Sequence, residues 1–331
     1  MSFDKEIKQI LLESSSNLND ELVLEVYRYQ YLYNSIYKEF STSIKKTPAQ
    51  VHFVADIPFL PISFYKNHSV ITQDGSIDFT KSVEFYSSGT TSDNRSTHIV
   101  ADSEFYQMRS QLIFESYYGS LKDIILVAVL PSYEENPSSS LIFMMQHFIR
   151  ATDHDGSGFY SFDIPRIKLL LKALASENKK IVVWGVSYAL LDWAEEESAN
   201  YSNILFLETG GMKGRRKELT RLELHNKLCS GFGVSTIHSE YGMTELLSQS
   251  YSVGDGLYQF PKGFIPVLRQ INDPFGQIRQ GSGGINVIDL ANINGCCFIE
   301  TQDIGRITSD GFEILGRLDT SDLRGCNLLY I

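Results

Sequence analysis

Three segments carry residue types whose order and spacing suit phosphate and sugar chemistry. In Glu84-Phe-Tyr-Ser-Ser-Gly-Thr-Thr-Ser-Asp-Asn-Arg-Ser-Thr97, four hydroxyls, one glycine and the following Arg95 stand just past a short apolar stretch. Backbone N–H groups and hydroxyls of such a loop can wrap a phosphate while the arginine neutralises its charge. By composition alone the stretch reads more readily as a solvated Ser/Thr turn, and without Gly-Lys-Ser/Thr it is not a Walker A loop. The second segment, Ser239-Glu-Tyr-Gly-Met-Thr-Glu245, follows the strand-like run Val234–His238. Its aromatic ring, glycine, hydroxyl and carboxylate can stack a base, admit close backbone approach, meet a phosphate and hold Mg²⁺. The third comprises Thr301-Gln-Asp-Ile-Gly-Arg306 and Ile314-Leu-Gly-Arg-Leu-Asp319. An Asp at a strand end accepts from two ribose hydroxyls, and a downstream Arg reaches the same sugar or a phosphate.

A competing constellation is Ile181-Val-Val-Trp-Gly-Val-Ser-Tyr-Ala-Leu-Leu191, which approximates the strand–turn–helix elbow of α/β-hydrolases. Ser187 would be the nucleophile, with Glu208 and His238 in the required order; Ala189 replaces the last glycine of the elbow, and Ser187 also reads as a helix N-cap. The seven histidines show no transition-metal ligand spacing. The four cysteines, Cys229, Cys296, Cys297 and Cys326, form no C-x-x-C frame, which suggests a reducing, cytoplasmic compartment. Cys296-Cys297 reads as strand core.

These residues need elements to position them. Helical spacing over Asp4–Glu13 and Asp20 to about Phe40 predicts two amphipathic helices. The Pro-rich run Ile57-Pro-Phe-Leu-Pro-Ile-Ser-Phe-Tyr65 predicts an extended strap. From Val83 onward short apolar runs alternate with helical patterns (Ile124–Leu130, Leu141–Arg150, Ile167–Ala175, Ile181–Trp184, Ile204–Glu208, Leu219–Cys229), which predicts α/β architecture with a parallel sheet covered by helices. After Tyr251 frequent glycines predict small antiparallel strands. The expected divisions are 1–80 (helices and strap), 81–253 (α/β core) and 254–331 (a β-rich C-terminal part).

In this order and spacing the three segments resemble the adenylate-forming superfamily of acyl-CoA synthetases and luciferase-like ligases. Within it the chain looks most like the acyl-protein synthetase (LuxE) family, on the strap, Glu208-Thr-Gly-Gly-Met-Lys-Gly-Arg215, the short length and the C-terminal Arg-Gly-Cys. The resemblance implies the ligases' N-terminal lobe without their mobile, lysine-bearing C-terminal domain. By position it implies phosphate contacts from Ser87, Ser88, Gly89, Thr90 and Thr91, and adenine contacts at Gly210, Gly211 and Tyr241. It further implies an α-phosphate contact at Thr244, Mg²⁺ at Glu245, and ribose at Asp303 with Arg317 nearby. Where the superfamily has Gly-x-Pro-Lys, this chain has Ser92-Asp-Asn-Arg95, so Arg95 stands in for the lysine charge.

The implied reaction joins a carboxylic acid, a fatty acid in that family's pattern, to AMP from ATP. A thiol then takes the acyl group and passes it to an acyl-CoA reductase-like partner. With the chain ending five residues after Cys326, Cys326 is the candidate acyl carrier, Arg324 beside it could lower the thiol pKa, and Lys213 is a candidate cation in place of the absent lobe. Cys326 also reads as a buried strand cysteine. A phenylacetate-CoA-ligase-like acyl-CoA ligase, the Ser187 hydrolase or acyltransferase, and a non-catalytic AMP- or acyl-binding scaffold are the alternatives.

Composition bounds these readings. The chain has 331 residues, 43% hydrophobic and 21% charged, enough for at least one sizeable core and against a disordered chain. Its formal net charge of -11 would repel nucleic acid. The charged start Met1-Ser-Phe-Asp-Lys-Glu-Ile7 is unlike an export signal, and the apolar run Ile124–Leu130 is far short of the ~20 residues of a membrane span.

Overall fold

The computed structural model describes residues 2–13, 18–87, 95–131, 136–196, 199–210 and 219–318. Three helices open the chain: α1 (Phe3–Leu12), α2 (Asp20–Tyr33) and α3 (Ser35–Ser43). The helix expected over Asp20–Phe40 is thus broken in two. Asn34 adopts extended backbone and its side chain accepts from the Tyr37 N–H (2.9 Å), capping α3, while its amide donates to the Gly295 carbonyl (3.0 Å). Of the Pro-rich strap, β1 (Leu60–Pro61) pairs in parallel with Ile299 and Glu300, and Ile62–Lys66 turns into a short 3₁₀ helix.

A hairpin of β2 (Val83–Tyr86) and β3 (Thr97–Val100) leads to α4 (Ser103–Tyr118). The central sheet follows: β4 (Ile124–Val129), α5 (Ser140–Thr152), β5 (Gly158–Phe159), α6 (Ile164–Leu174), β6 (Lys180–Val186), α7 (Ser187–Glu195), β7 (Ile204–Thr209), α8 (Arg221–Phe232), β8 (His238–Tyr241) and β9 (Ser250–Ser252). Their order is β5-β4-β6-β7-β8-β9, parallel except for β9. All six residues of β4 are buried, as a strand covered on both faces requires. One face carries Phe114, Phe148, Trp184 and Tyr251, the other Trp193, Phe206 and Phe232.

The central sheet ends with β9 at Ser252, and the later strands are β10 (Leu257–Tyr258), β11 (Phe264–Gln270), β12 (Asp273–Ile278), β13 (Gly281–Asp289), β14 (Phe298–Ile307) and β15 (Phe312–Arg317). These pair as β10-β15-β14-β13-β11-β12, antiparallel throughout, with β1 added beside β14. Two local expectations change. The strand placed at Val234–His238 lies instead at His238–Tyr241, so half of the second chemical segment is strand; and Cys296-Cys297, fully buried, precedes β14 rather than lying within it. Among the described residues no helix is long and apolar enough to cross a membrane.

Candidate active site

The carboxyl ends of β6, β7 and β8 lie side by side, where parallel α/β sheets bind ligands. Gly210, exposed and at φ +74, leaves the end of β7 in a left-handed turn. At the end of β8, the Tyr241 hydroxyl donates to Asp303 Oδ2 (2.8 Å), which ties the parallel sheet to the antiparallel one. Asp303 is mid-strand in β14 rather than at a strand end, and its register partner across the ladder is Arg317 of β15. Arg317 Nε donates to Asp303 Oδ1 (3.2 Å) while most of the arginine side chain stays in solvent. Burial pushes the Asp303 carboxyl up, against the opposing pull of Arg317 and the Tyr241 hydroxyl.

The turn after Tyr241 presents a half-buried Thr244 and the buried Glu245. Burial raises the Glu245 carboxyl, and the Ser96 hydroxyl beside it pulls the other way. Ser96 thereby joins the first and second chemical segments, since its N–H donates to Ser87 Oγ (2.9 Å) and its carbonyl accepts from the Ser87 N–H (3.0 Å). Arg95 stands exposed beside it. Asp289, at the end of β13, fixes the rest of the turn: its carboxylate accepts from the Leu247 and Ser248 N–H groups (2.8 and 3.0 Å) and the Ser248 hydroxyl (2.8 Å).

Ser87, Arg95, Gly210, Tyr241, Thr244, Glu245, Asp303 and Arg317 are therefore placed by the structure; hydrogen bonds pair Ser87 with Ser96, which lies beside Glu245, and join Tyr241, Asp303 and Arg317. Ser88, Gly89, Thr90, Thr91, Gly211, Lys213, Arg324 and Cys326 lie outside the described residues. No described group of three or more His, Cys, Asp or Glu side chains is arranged to hold a metal ion.

The hydrolase constellation does not assemble. Ser187 is fully buried as the first residue of α7, where Val186 is the N-cap, and its single hydroxyl proton lies between two acceptors, Glu208 Oε2 (2.5 Å) and the Gly210 carbonyl (2.6 Å). A triad needs histidine between serine and acid; His238 instead packs against Tyr118 (5.6 Å), where burial pushes it down to about 4. Glu208 belongs to a network the sequence reading missed. Burial opposes its charge, but Arg221, His225, Ser187 and Ser239 together hold its carboxyl at about 2. The network braces the end of β7 just before Gly210. No spacing rule links Glu208 to Arg221, although the Thr220–Glu223 capping box does locate the start of the helix that carries the arginine.

Searches against protein-family profiles and curated proteins return no match. Solved structures do resemble the fold. ATP-bound MatB from Rhodopseudomonas palustris aligns with a TM-score of 0.52 and 18% identity over 71% of this chain and 47% of that one. A 2-hydroxyisobutyryl-CoA ligase in complex with 2-HIB-AMP and CoA aligns at 0.64 and 14% over 91% and 75% in its open conformation. In the thioesterification state the same ligase aligns at 0.63 and 14% over 96% and 68%. The chain spans about half the length of MatB. Its fold is that of the adenylate-forming ligases.

Proposed function

We propose that this chain is an ATP-dependent acid–thiol ligase of the acyl-protein synthetase (LuxE) type, acting in the cytoplasm. The observation that carries the reading is the joining of Tyr241, Asp303 and Arg317 at the carboxyl end of the parallel sheet, near the Thr244–Glu245 turn and Ser96, in an adenylate-forming fold. Asp303 would accept the ribose hydroxyls, Arg317 would lie along the sugar or a phosphate, Tyr241 and the Gly210–Gly211 turn would face adenine, and Ser87–Thr91 with Arg95 would hold phosphates.

The residues fit Mg²⁺ as well as nucleotide. Glu245 is a buried carboxyl whose charge is disfavoured where it stands, so a cation would restore it. A single carboxylate suffices, since Mg²⁺ takes most of its remaining ligands from phosphates and water. When bound, the ion would neutralise phosphate charge, while Thr244 offers a hydroxyl to the α-phosphate.

In the first step a carboxylate oxygen of the substrate, a fatty acid on this reading, forms a bond to the α-phosphorus as the bond to pyrophosphate breaks. In the second, the Cys326 thiolate adds to the acyl carbon and AMP leaves, forming a thioester for delivery to a reductase-like partner. We assign 81–253 as the ATP and acyl core, with 1–80 and 254–331 as its N-terminal cover and β-rich C-terminal part. A second reading, transfer to free coenzyme A, is favoured by the CoA in the complex of the structural neighbour.

Intact-protein mass after incubation with ATP, Mg²⁺ and a panel of carboxylic acids, beside Cys326→Ser, tests the proposal. An ATP-dependent adduct that hydroxylamine removes and the variant lacks is expected. Pyrophosphate release with no adduct, made catalytic by coenzyme A, would favour the CoA-ligase reading; no adduct and no pyrophosphate with any acid would favour a scaffold.

A further inference from the structure

His98 lies two residues beyond Ser96 on β3 and is fully buried, yet both of its ring nitrogens are engaged at the site. Nδ1 is 2.7 Å from the Thr244 carbonyl, and Nε2 is 3.0 Å from Asn292 Oδ1. The amide nitrogen of the same Asn292 donates to the Glu245 carbonyl (2.8 Å). One histidine on β3 and one asparagine in the 3₁₀ turn after β13, 194 positions apart, thus grip the consecutive carbonyls of the two residues that present the hydroxyl and the carboxylate. Gly295 makes the grip possible, because a Cβ there would press within 2.5 Å of Asn292 Oδ1 and 3.2 Å of His98 Nε2.

We propose that His98 and Asn292 form a clamp that sets the position of Thr244 and Glu245 beside Ser96, with His98 a positioning residue. The Thr244 carbonyl can only accept, so Nδ1 carries a proton. Asn292 turns its oxygen to Nε2 because its nitrogen is committed to Glu245. Both ring nitrogens therefore face acceptors, and the clamp is complete when the ring is an imidazolium; the neutral ring keeps the Thr244 bond and loses the Asn292 bond. Burial pushes His98 down while its two acceptors pull it up. The titratable groups around it are Tyr65, edge-on at 5.5 Å, and Glu245, with Asn292 the uncharged neighbour. A buried polar group without partners costs about 1–3 kcal/mol, so the ring is held wherever its bonds are made.

The clamp stands independently of the adenylation reading; only its effect on nucleotide rests on that reading. Side-chain ¹⁵N NMR of histidine-labelled full-length protein, with His98 assigned by its loss in His98→Gln, tests the clamp directly. Nδ1 is expected to stay protonated at every pH at which the protein is folded, while Nε2 alone titrates, below the ordinary histidine range. An Nε2–H tautomer, or a ring whose two nitrogens exchange freely, would overturn the clamp.

Calorimetric titration with ATP and Mg²⁺ tests its consequence. His98→Leu and Asn292→Leu are each expected to weaken binding roughly tenfold or more. Gly231→Ala, a control destabilised at the α7–α8 contact, is expected to bind as the parent does. Parent-like affinity in both clamp variants overturns the positioning role. If the parent itself fails to bind ATP, the adenylation reading falls, and the NMR result alone decides the clamp.

Discussion

Asp303, Glu245, Asp289 and Glu240 are carboxyls taken out of water, and each is answered differently. Asp303 faces a guanidinium, Glu245 a serine hydroxyl, Asp289 three donors of the 247–248 segment, and Glu240 the Thr209 hydroxyl. Glu240 is the least compensated: burial pushes it up to about 7, with Glu208 adding repulsion. Its folded value lies above the ordinary carboxyl value, so the folded chain keeps a proton that the unfolded chain has lost. Stability from this group is complete below about pH 4.5 and is lost as pH rises through about 7, an effect on the order of 3 kcal/mol. Glu240→Gln is expected to flatten that slope and to be the more stable protein at high pH. Urea unfolding across that range reads this directly, and an unchanged slope assigns the pH dependence to other groups. The types of residue at the site were legible in the chain because hydroxyl, glycine and carboxylate chemistry is written locally. Their burial was not, since it depends on neighbours contributed from two sheets.

At the scale of elements, caps and periodicity located the helices well where one side chain governs the local backbone. Thr220 with Glu223 opens α8, and Asp163 with Pro165 opens α6. They failed at Asn34, whose preference for capping and for the Gly295 carbonyl outweighs continuation of the helix. The antiparallel sheet contains a device no periodicity shows. The buried Arg269 guanidinium occupies the space that a Cβ on Gly284 would fill, donating to the Thr301 carbonyl (2.8 Å) and lying 3.2 Å from Glu300. Gly284→Ala is expected to displace the guanidinium and cost about 2–4 kcal/mol. Arg269→Met in the same chain should recover part of that loss, as measured by denaturant midpoint; a fully additive loss would show that the two positions do not compete for space.

The molecule as a whole is joined through buried polar side chains as well as its core. Gln30 of α2 donates to the carbonyls of Ile293 (3.1 Å) and Gly295 (3.2 Å) and accepts from the Cys297 N–H (2.8 Å), locking the N-terminal helices to the segment that also carries Asn292. Gln30→Leu keeps the volume and orphans those groups, so a loss of about 2 kcal/mol or more is expected in thermal or urea unfolding; stability within about 0.5 kcal/mol of the parent would show that another element holds the segment. The alternation of strands and helices, the antiparallel character of the later residues and the order of the chemical segments all follow from local composition and hydrophobic period, and so are present in the chain before it folds. The meeting of Tyr241 with Asp303, of His98 with Asn292 and Thr244, and of Glu208 with Ser187 in place of a histidine arises from packing between distant strands. Hydrogen bonds at such separations depend on strand register and on which face is buried, properties that exist only once both sheets have closed on each other.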